Sequence, residues 1–180
     1  MESMKYSLSK IEWKEFWIED IADIKSGVRL TKSNQVKGEI PFIGSTGNNN
    51  GVTSFVSNIN NSLDKNILGV NYNGSVVDNF YHPYKCVFSD DVKRLHFKEK
   101  VAQNKYCYLF LKSSILKQKI KYTYGYKFNE SRMKRQKILL PIDSRGKIDY
   151  DFMKKVMVIQ EIKECYKIID YYTKARKNQI

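Results

Sequence analysis

The stretch from Asp149 to about Lys177 reads as one continuous helix of some 29 residues. Asp149 and Asp151 at its start and Lys174, Arg176 and Lys177 at its end complement the helix dipole. Val158, Ile162, Cys165, Ile169 and Tyr172 recur at spacings of four and three, the pattern of a coiled-coil seam. A second line, Phe152, Val156 and Ile159, suits docking onto a body. At about 1.5 Å per residue such a helix is about 44 Å long, more than a small body covers. The chain therefore divides into a compact domain over residues 1–142 and a linker with the long helix over residues 143–180. The competing reading is an amphipathic helix lying on its own domain.

The preceding residues read as short strands. The expected strands are Glu15–Ile18, Glu39–Gly44, Val52–Val56, Ile67–Val70, Val76–Tyr81, Tyr84–Phe88, Val92–Phe97 and Gln136–Pro141. One helical turn follows Ile18, and Pro41 marks a strand start or an edge. A longer helix is expected from Asn104 to Ile120, its apolar face built on Leu109, Leu116 and Ile120 with Tyr108 and Ile115 nearby. A short helix follows over Phe128–Lys134. The class is α+β: a mainly antiparallel β domain with flanking helices, then the long helix. Between strands, Ser45-Thr46-Gly47-Asn48-Asn49-Asn50-Gly51 is a polar loop whose Asn and Gly tolerate positive φ. Its amides and hydroxyls both donate and accept, as base-edge readout requires. Asn71-Tyr72-Asn73-Gly74-Ser75 carries a hairpin turn signal.

Charge is one-sided. Residues 1–84 hold eight Lys/Arg against nine Asp/Glu, whereas residues 85–180 hold twenty-four against ten. Lys112–Lys137 alone holds nine basic residues and one acid, Glu130. Tyr122, Tyr124, Tyr126 and Phe128 interleave them. Such a segment is either a solvated lysine-rich surface or one that meets a phosphate backbone and base edges. No run of eighteen apolar residues and no apolar leader core is found, so a cytoplasmic protein without a membrane span is expected.

Catalytic patterns are weak. The three cysteines, Cys86, Cys107 and Cys165, form no C-x-x-C pair, and His82 and His96 are the only histidines, so no zinc site and reduced, mostly buried thiols are expected. The three prolines are never adjacent, and Asp78-Asn79-Phe80-Tyr81-His82-Pro83-Tyr84 is a poor match to the Asn/Asp-Pro-Pro-aromatic loop of amino-methyltransferases. Acid-x-Lys triplets occur at Glu12, Asp23 and Glu161, but in a chain this rich in lysine they do not make a nuclease centre. The chain reads as a binding protein with no catalytic residue, no metal and no cofactor of its own.

Ile18-Glu19-Asp20-Ile21-Ala22-Asp23-Ile24-Lys25-Ser26-Gly27-Val28-Arg29 resembles the opening of a type I restriction–modification specificity subunit. So does Ile40-Pro41-Phe42-Ile43-Gly44 leading into Asn48–Gly51. The later order is similar too: a Tyr-rich helix, a glycine turn, a short helix, a strand ending Leu139-Leu140-Pro141, then the long helix. The resemblance covers about residues 11–175. It implies a target-recognition domain that grips duplex DNA and a spacer helix that packs in an antiparallel coiled coil. It also implies that S-adenosylmethionine, ATP and Mg²⁺ belong to partner modification and restriction subunits. Full-length members carry two recognition domains and two spacers, whereas this chain shows one of each. The resemblance therefore implies a half subunit that homodimerises through Val158, Ile162, Cys165, Ile169 and Tyr172. Asp143-Ser144-Arg145-Gly146-Lys147-Ile148-Asp149 replaces the usual glutamate-glutamine opening of the spacer. Similar single-domain readers also serve type II restriction–methylation enzymes.

Residue chemistry nominates Arg29, Ser45, Thr46, Asn48, Asn49, Tyr72, Asn73, Tyr124, Tyr126, Lys127, Asn129, Arg132 and Lys134 as DNA contacts. The basic residues would position the phosphates and the polar loops would read bases. Two rivals remain. One is an RNA- or single-strand-binding protein using Tyr122–Tyr126 as a stacking platform. The other is an interaction or inhibitor protein that occupies the specificity-subunit position without reading DNA.

Overall fold

The computed structural model describes residues 11–122 and 125–177, with side chains described through Lys174. Among the described residues, three sheets and four α-helices follow in the order β1 (Glu12–Trp17), α1 (Ile18–Ile21), β2 (Ala22–Ser26), β3 (Lys37–Ile43), β4 (Val52–Val56), β5 (Ile67–Asn71), β6 (Asn79–His82), β7 (Val87–Phe88), β8 (Val92–Phe97), α2 (Lys105–Leu116), α3 (Glu130–Lys134), β9 (Lys137–Ile142) and α4 (Tyr150–Lys177). The class is α+β. All strand pairs are antiparallel except β3 with β7.

The central sheet runs β2-β8-β5-β6. Its β5 is flanked on both edges and buried along its whole length, which suits the apolar Ile67-Leu68-Gly69-Val70. One helix-packed face carries Leu68, Val70, Leu95 and Phe97, which join α1, α2, Phe128, Met133, Ile138, Leu140 and Met153 in the main core. A smaller sheet, β4-β3-β7, closes over Ile43, Ile67, Phe88 and Val92 on one side and Phe42, Val56 and Val87 on the other. The two-stranded β1–β9 ladder pairs Trp13 with Pro141 and Trp17 with Lys137, tying the start of the domain to its end.

Several elements differ from expectation. Ala22–Ser26 is a strand, β2, because it pairs with β8 from Ala22↔Phe97 to Ser26↔Lys93. Val76 and Val77 lie in the β5–β6 connection, and β6 begins only at Asn79. Val77 has φ 71° and its N–H bonds the Asn71 carbonyl at 2.9 Å. Pro41 sits within β3, but β7 pairs only with Phe42 and Ile43, so at Pro41 β4 alone flanks the strand. β9 runs one residue past Pro141, in a two-stranded ladder where a missing N–H is tolerated.

Asn104 caps α2, its side-chain carbonyl accepting from the N–H groups of Tyr106 and Cys107. The buried face of α2 is Cys107, Tyr108, Phe110, Leu111, Ser114 and Ile115. Leu109 and Leu116 are half-buried and Ile120 is 90% exposed, whereas Tyr108 and Ile115, expected beside them, are buried, so the buried face is rotated toward those two. Asp149 caps α4 by accepting from the Phe152 N–H at 2.8 Å. Phe152 and Met153 are buried in the body, and from Ile162 to Lys174 the helix is exposed on all sides. Cys86 and Cys107 are buried free thiols, whereas Cys165 is exposed, because it lies on that projecting part. Burial pushes the Cys86 thiol up to about 12.

Candidate nucleic-acid interface

Asn49, Asn50 and Gly51 occupy positive φ consecutively, at 49°, 54° and 80°. Asn and Gly accept this region most readily, so the Asn-Asn-Asn-Gly run is what lets the loop turn before β4. The Gly44 N–H meets the Gly51 carbonyl and the Gly51 N–H meets the Asn48 carbonyl, both at 2.9 Å. Ser45 and Thr46 hold this loop in place. The Ser45 hydroxyl donates to the Asn73 carbonyl, and Asn71 Nδ2 donates to the Thr46 carbonyl at 3.0 Å. Asn48 and Asn49 are left exposed at the tip.

The loop after β5 packs directly on this one. A Cβ at Gly74 (φ 55°) would lie 2.4 Å from the Ser45 carbonyl oxygen, so glycine is required for the two loops to meet. Asn73 Nδ2 donates to Asp91 Oδ1 at 3.0 Å, and the Tyr72 N–H to the Asp91 carbonyl at 3.2 Å. Arg29 reaches the same turn, 3.5 Å from Asp90, with its side chain 78% exposed. Burial, then the charges of Asp91 and Asp90, push the Tyr72 hydroxyl above its ordinary value, so it remains a donor.

Lys93 links these loops to α3. Its ammonium lies 4.9 Å from the Tyr72 ring centre, hydrogen-bonds the Ser26 hydroxyl and sits 3.6 Å from Glu130. Glu130 also pairs with Lys134 at 2.9 Å. The Lys134 hydrogen bond, outweighing partial burial, holds the Glu130 carboxyl below its ordinary value. Asn129 is the helix cap, its side-chain carbonyl accepting from the Arg132 N–H at 3.0 Å. Arg132 donates to the Lys127 carbonyl at 2.7 Å and stacks 3.6 Å over the Tyr126 ring. Tyr126 stacks in turn on Tyr122 at 5.7 Å, with the planes 13° apart. Tyr122 is anchored by its hydroxyl on Gln136 Oε1 at 2.7 Å and by the Phe128 ring at 4.5 Å. The result is an exposed guanidinium–tyrosine platform on a buried aromatic base. Tyr124 lies outside the described residues.

Contacts thus bring Arg29, Ser45, Thr46, Asn48, Asn49, Tyr72 and Asn73 together and tie them through Lys93 to Asn129, Arg132 and Lys134. Lys119 joins them from the other side by pairing with Asp78 at 2.5 Å. Asn50 and Tyr84, not nominated from sequence, belong to the same surface: Asn50 Nδ2 donates to the Tyr84 hydroxyl at 3.1 Å. The Asn-rich run pointed to Asn50, whereas nothing local pointed to Tyr84. On the opposite face of β8 from Lys93, toward the end away from the Asp90-Asp91 turn, Asp64 bonds Arg94 at 2.9 Å and His96 at 2.8 Å. Burial raises the Asp64 carboxyl, but the bond and charge of His96, the Lys65 N–H and Arg94 outweigh it and leave it below its ordinary value.

Not all of the basic segment joins this surface. Lys117, Lys121 and Lys137 line a groove on the far side of α2, next to Trp13, Leu139 and α4. The helix seam is a third region. Val158 is half-buried, Cys165 is exposed, and Ile162, Ile169 and Tyr172 are 49%, 59% and 68% exposed. Tyr166, also exposed, extends that stripe. Among the described residues no cluster of His, Cys, Asp or Glu suits a metal ion, and no helix is long and apolar enough to cross a membrane.

The family model described as type I restriction modification DNA specificity domain matches residues 10–170. The chain is 57% identical over 157 residues to the specificity subunit of the type II restriction enzyme BgcI from Heyndrickxia coagulans, covering 87% of this chain and 46% of that protein. It thus spans about half the length of that curated relative. In fold it is similar to the S subunit of a type I restriction–modification system from M. genitalium (TM-score 0.63, 15% identity, 96% of this chain and 46% of that one). It is likewise similar to the HsdS subunit of Thermoanaerobacter tengcongensis (TM-score 0.62, 10% identity, 89% of this chain and 39% of that one). With the match running through both the loop-bearing domain and most of α4, the chain belongs to the type I restriction modification DNA specificity domain family.

Proposed function

We propose that this chain is the sequence-reading part of a restriction–modification enzyme and has no catalytic role of its own. It binds duplex DNA through the surface built by the loops at 45–51 and 72–78, the turn at Asp90-Asp91 and α3. The observation that carries this reading is the junction of the Asn-rich loop with the basic, aromatic α3 region. Exposed amides stand beside cations that can hold phosphate, the division of labour of a specific DNA reader. Arg132 on Tyr126 is the strongest single contact, because its guanidinium is presented flat and pre-stacked.

The exposed seam Val158–Tyr172 pairs with the equivalent helix of a second recognition unit in a coiled coil. A second copy of this chain supplies it, giving a homodimer with two recognition domains. The 57% identity to a type II specificity subunit favours a type II system. S-adenosylmethionine, Mg²⁺ and any ATP requirement reside on the modification and restriction partners. Co-expression with the modification subunit encoded in the same host should give methylation at one sequence, mapped as modified adenines. Methylation without sequence preference, or tighter binding to single strands than to duplex, would overturn the reading.

A further inference from the structure

We propose that the groove between α2, α4 and the β1–β9 ladder is the seat of an acidic amphipathic helix from the modification subunit. This inference rests on the partner named above. The groove encloses about 780 Å³ and its floor is apolar: Trp13, Phe110, Leu139, Phe152, Val156 and Met157. Trp13 stacks on Phe110 at 6.3 Å and meets Phe152 edge-on at 6.4 Å, so the floor is pre-formed. Yet Trp13 stays 41% and Leu139 55% exposed. Large side chains held open in a groove between two helices suit the helix-in-groove mode of recognition.

Charge selects the occupant. Lys117 and Lys121 stand on the rim, and among the described residues no carboxylate pairs with either. Lys137 and Glu15, also on the rim, pair with each other at 3.0 Å. The net positive rim around an apolar floor complements a helix with an apolar stripe edged by Asp or Glu. A phosphate backbone would leave the floor uncovered. A second copy is already accommodated elsewhere: on α4, Val156 and Val158 are about 200° apart around the axis, as are Gln160 and Ile162. Pairing along the Val158–Tyr172 seam therefore leaves the groove open.

The test uses the full chain co-expressed with the modification subunit, with the photo-crosslinker p-benzoylphenylalanine in place of Leu139. The expected product is a crosslink to a modification-subunit peptide with acidic and apolar residues at helical spacing. The double variant Lys117→Glu/Lys121→Glu should weaken assembly about tenfold while leaving the salt dependence of duplex binding unchanged. Both positions are exposed, so folding should be retained. A crosslink to a second copy of this chain, or a fall of about two in the salt slope, would overturn the proposal. Co-purification without a Leu139 crosslink overturns the groove alone, whereas no co-purification overturns the partner as well.

Discussion

Lys119 and Lys117 are two residues apart, yet they serve surfaces of opposite construction. Lys119 is drawn by Asp78 onto the polar loops, while Lys117 stands over the apolar groove beside Phe110 and Met157. The loop surface is built of amides, carboxylates and backbone carbonyls. The groove is built of aromatic and aliphatic side chains, with lysines only at its rim. Positive charge in a sequence therefore does not identify a nucleic-acid surface by itself; what backs the charge does.

The first way to sharpen this contrast is stability. Phe152 is 3% exposed, fills the groove floor and holds the base of α4 to the body. Phe152→Ala should cost about 4 kcal/mol in urea unfolding. That loss should vary little with pH, because it comes from lost aromatic packing, such as the edge contact with Trp13. A loss that varied steeply with pH would mean that the groove, too, depends on charge.

The polar face of the central sheet should behave differently. Removing the Asp64 charge leaves Arg94, 7% exposed, without its partner, so Asp64→Asn should cost about 3 kcal/mol at neutral pH. Because the folded-state pKa of Asp64 is depressed, its contribution is present above the ordinary carboxylate value and is lost as pH falls through the folded one. His82 adds to this acid sensitivity. Burial, assisted by the Lys112 charge, pushes its pKa down to about 4. The unfolded chain takes up this proton near pH 6.5 and the folded chain only near 4. Stability therefore falls as pH drops through that window, by up to about 1.4 kcal/mol per unit. His82→Leu should flatten the curve between those values, and an unchanged curve would remove His82 from the account.

Much of this contrast was legible in sequence, and its failures have local causes. The Asn-Asn-Asn-Gly turn and the long helix follow from short-range chemistry, and they stand where expected. Which lysines back onto which surface did not, because it depends on how α2 is rotated about its axis. Leu109, Leu116 and Ile120 keep helical spacing, but the buried face of α2 centres on Phe110, Leu111 and the two residues expected beside that face, Tyr108 and Ile115. Tyr108 is held there, its hydroxyl accepting from the Phe97 N–H at 3.4 Å. β2 and the late start of β6 were hidden for the same reason. Pairing with β8 makes Ala22–Ser26 a strand, whereas the turn that bonds the Val77 N–H to the Asn71 carbonyl holds Val77 at positive φ and out of one. Tyr84 joins the loops only through Asn50, thirty-four residues earlier.

DNA binding separates the two surfaces directly. Arg132→Ala should weaken duplex binding about tenfold and lower the salt slope by about one. Lys117→Ala should do neither. Equal effects would mean that the groove rim also lies on DNA, and the distinction between the surfaces would fail.

The smallest effect concerns charge balance within α3. Lys134 was nominated as a phosphate contact, but Glu130 neutralises it at 2.9 Å and also attracts Lys93. Lys134→Ala should therefore reduce affinity less than Arg132→Ala. Glu130→Gln keeps the side chain's length and removes its charge, releasing Lys134 toward the DNA. Exposed pairs of this kind are worth about 0.5 kcal/mol, so folding should change little. Duplex affinity should rise about threefold, with a slightly steeper salt slope. That gain should vanish in the Glu130→Gln/Lys134→Ala double variant, measured by titration at two salt concentrations. If the double variant kept the gain, the released cation would be the buried Lys93, and the Tyr72 side of the surface would lie closer to the phosphates than α3.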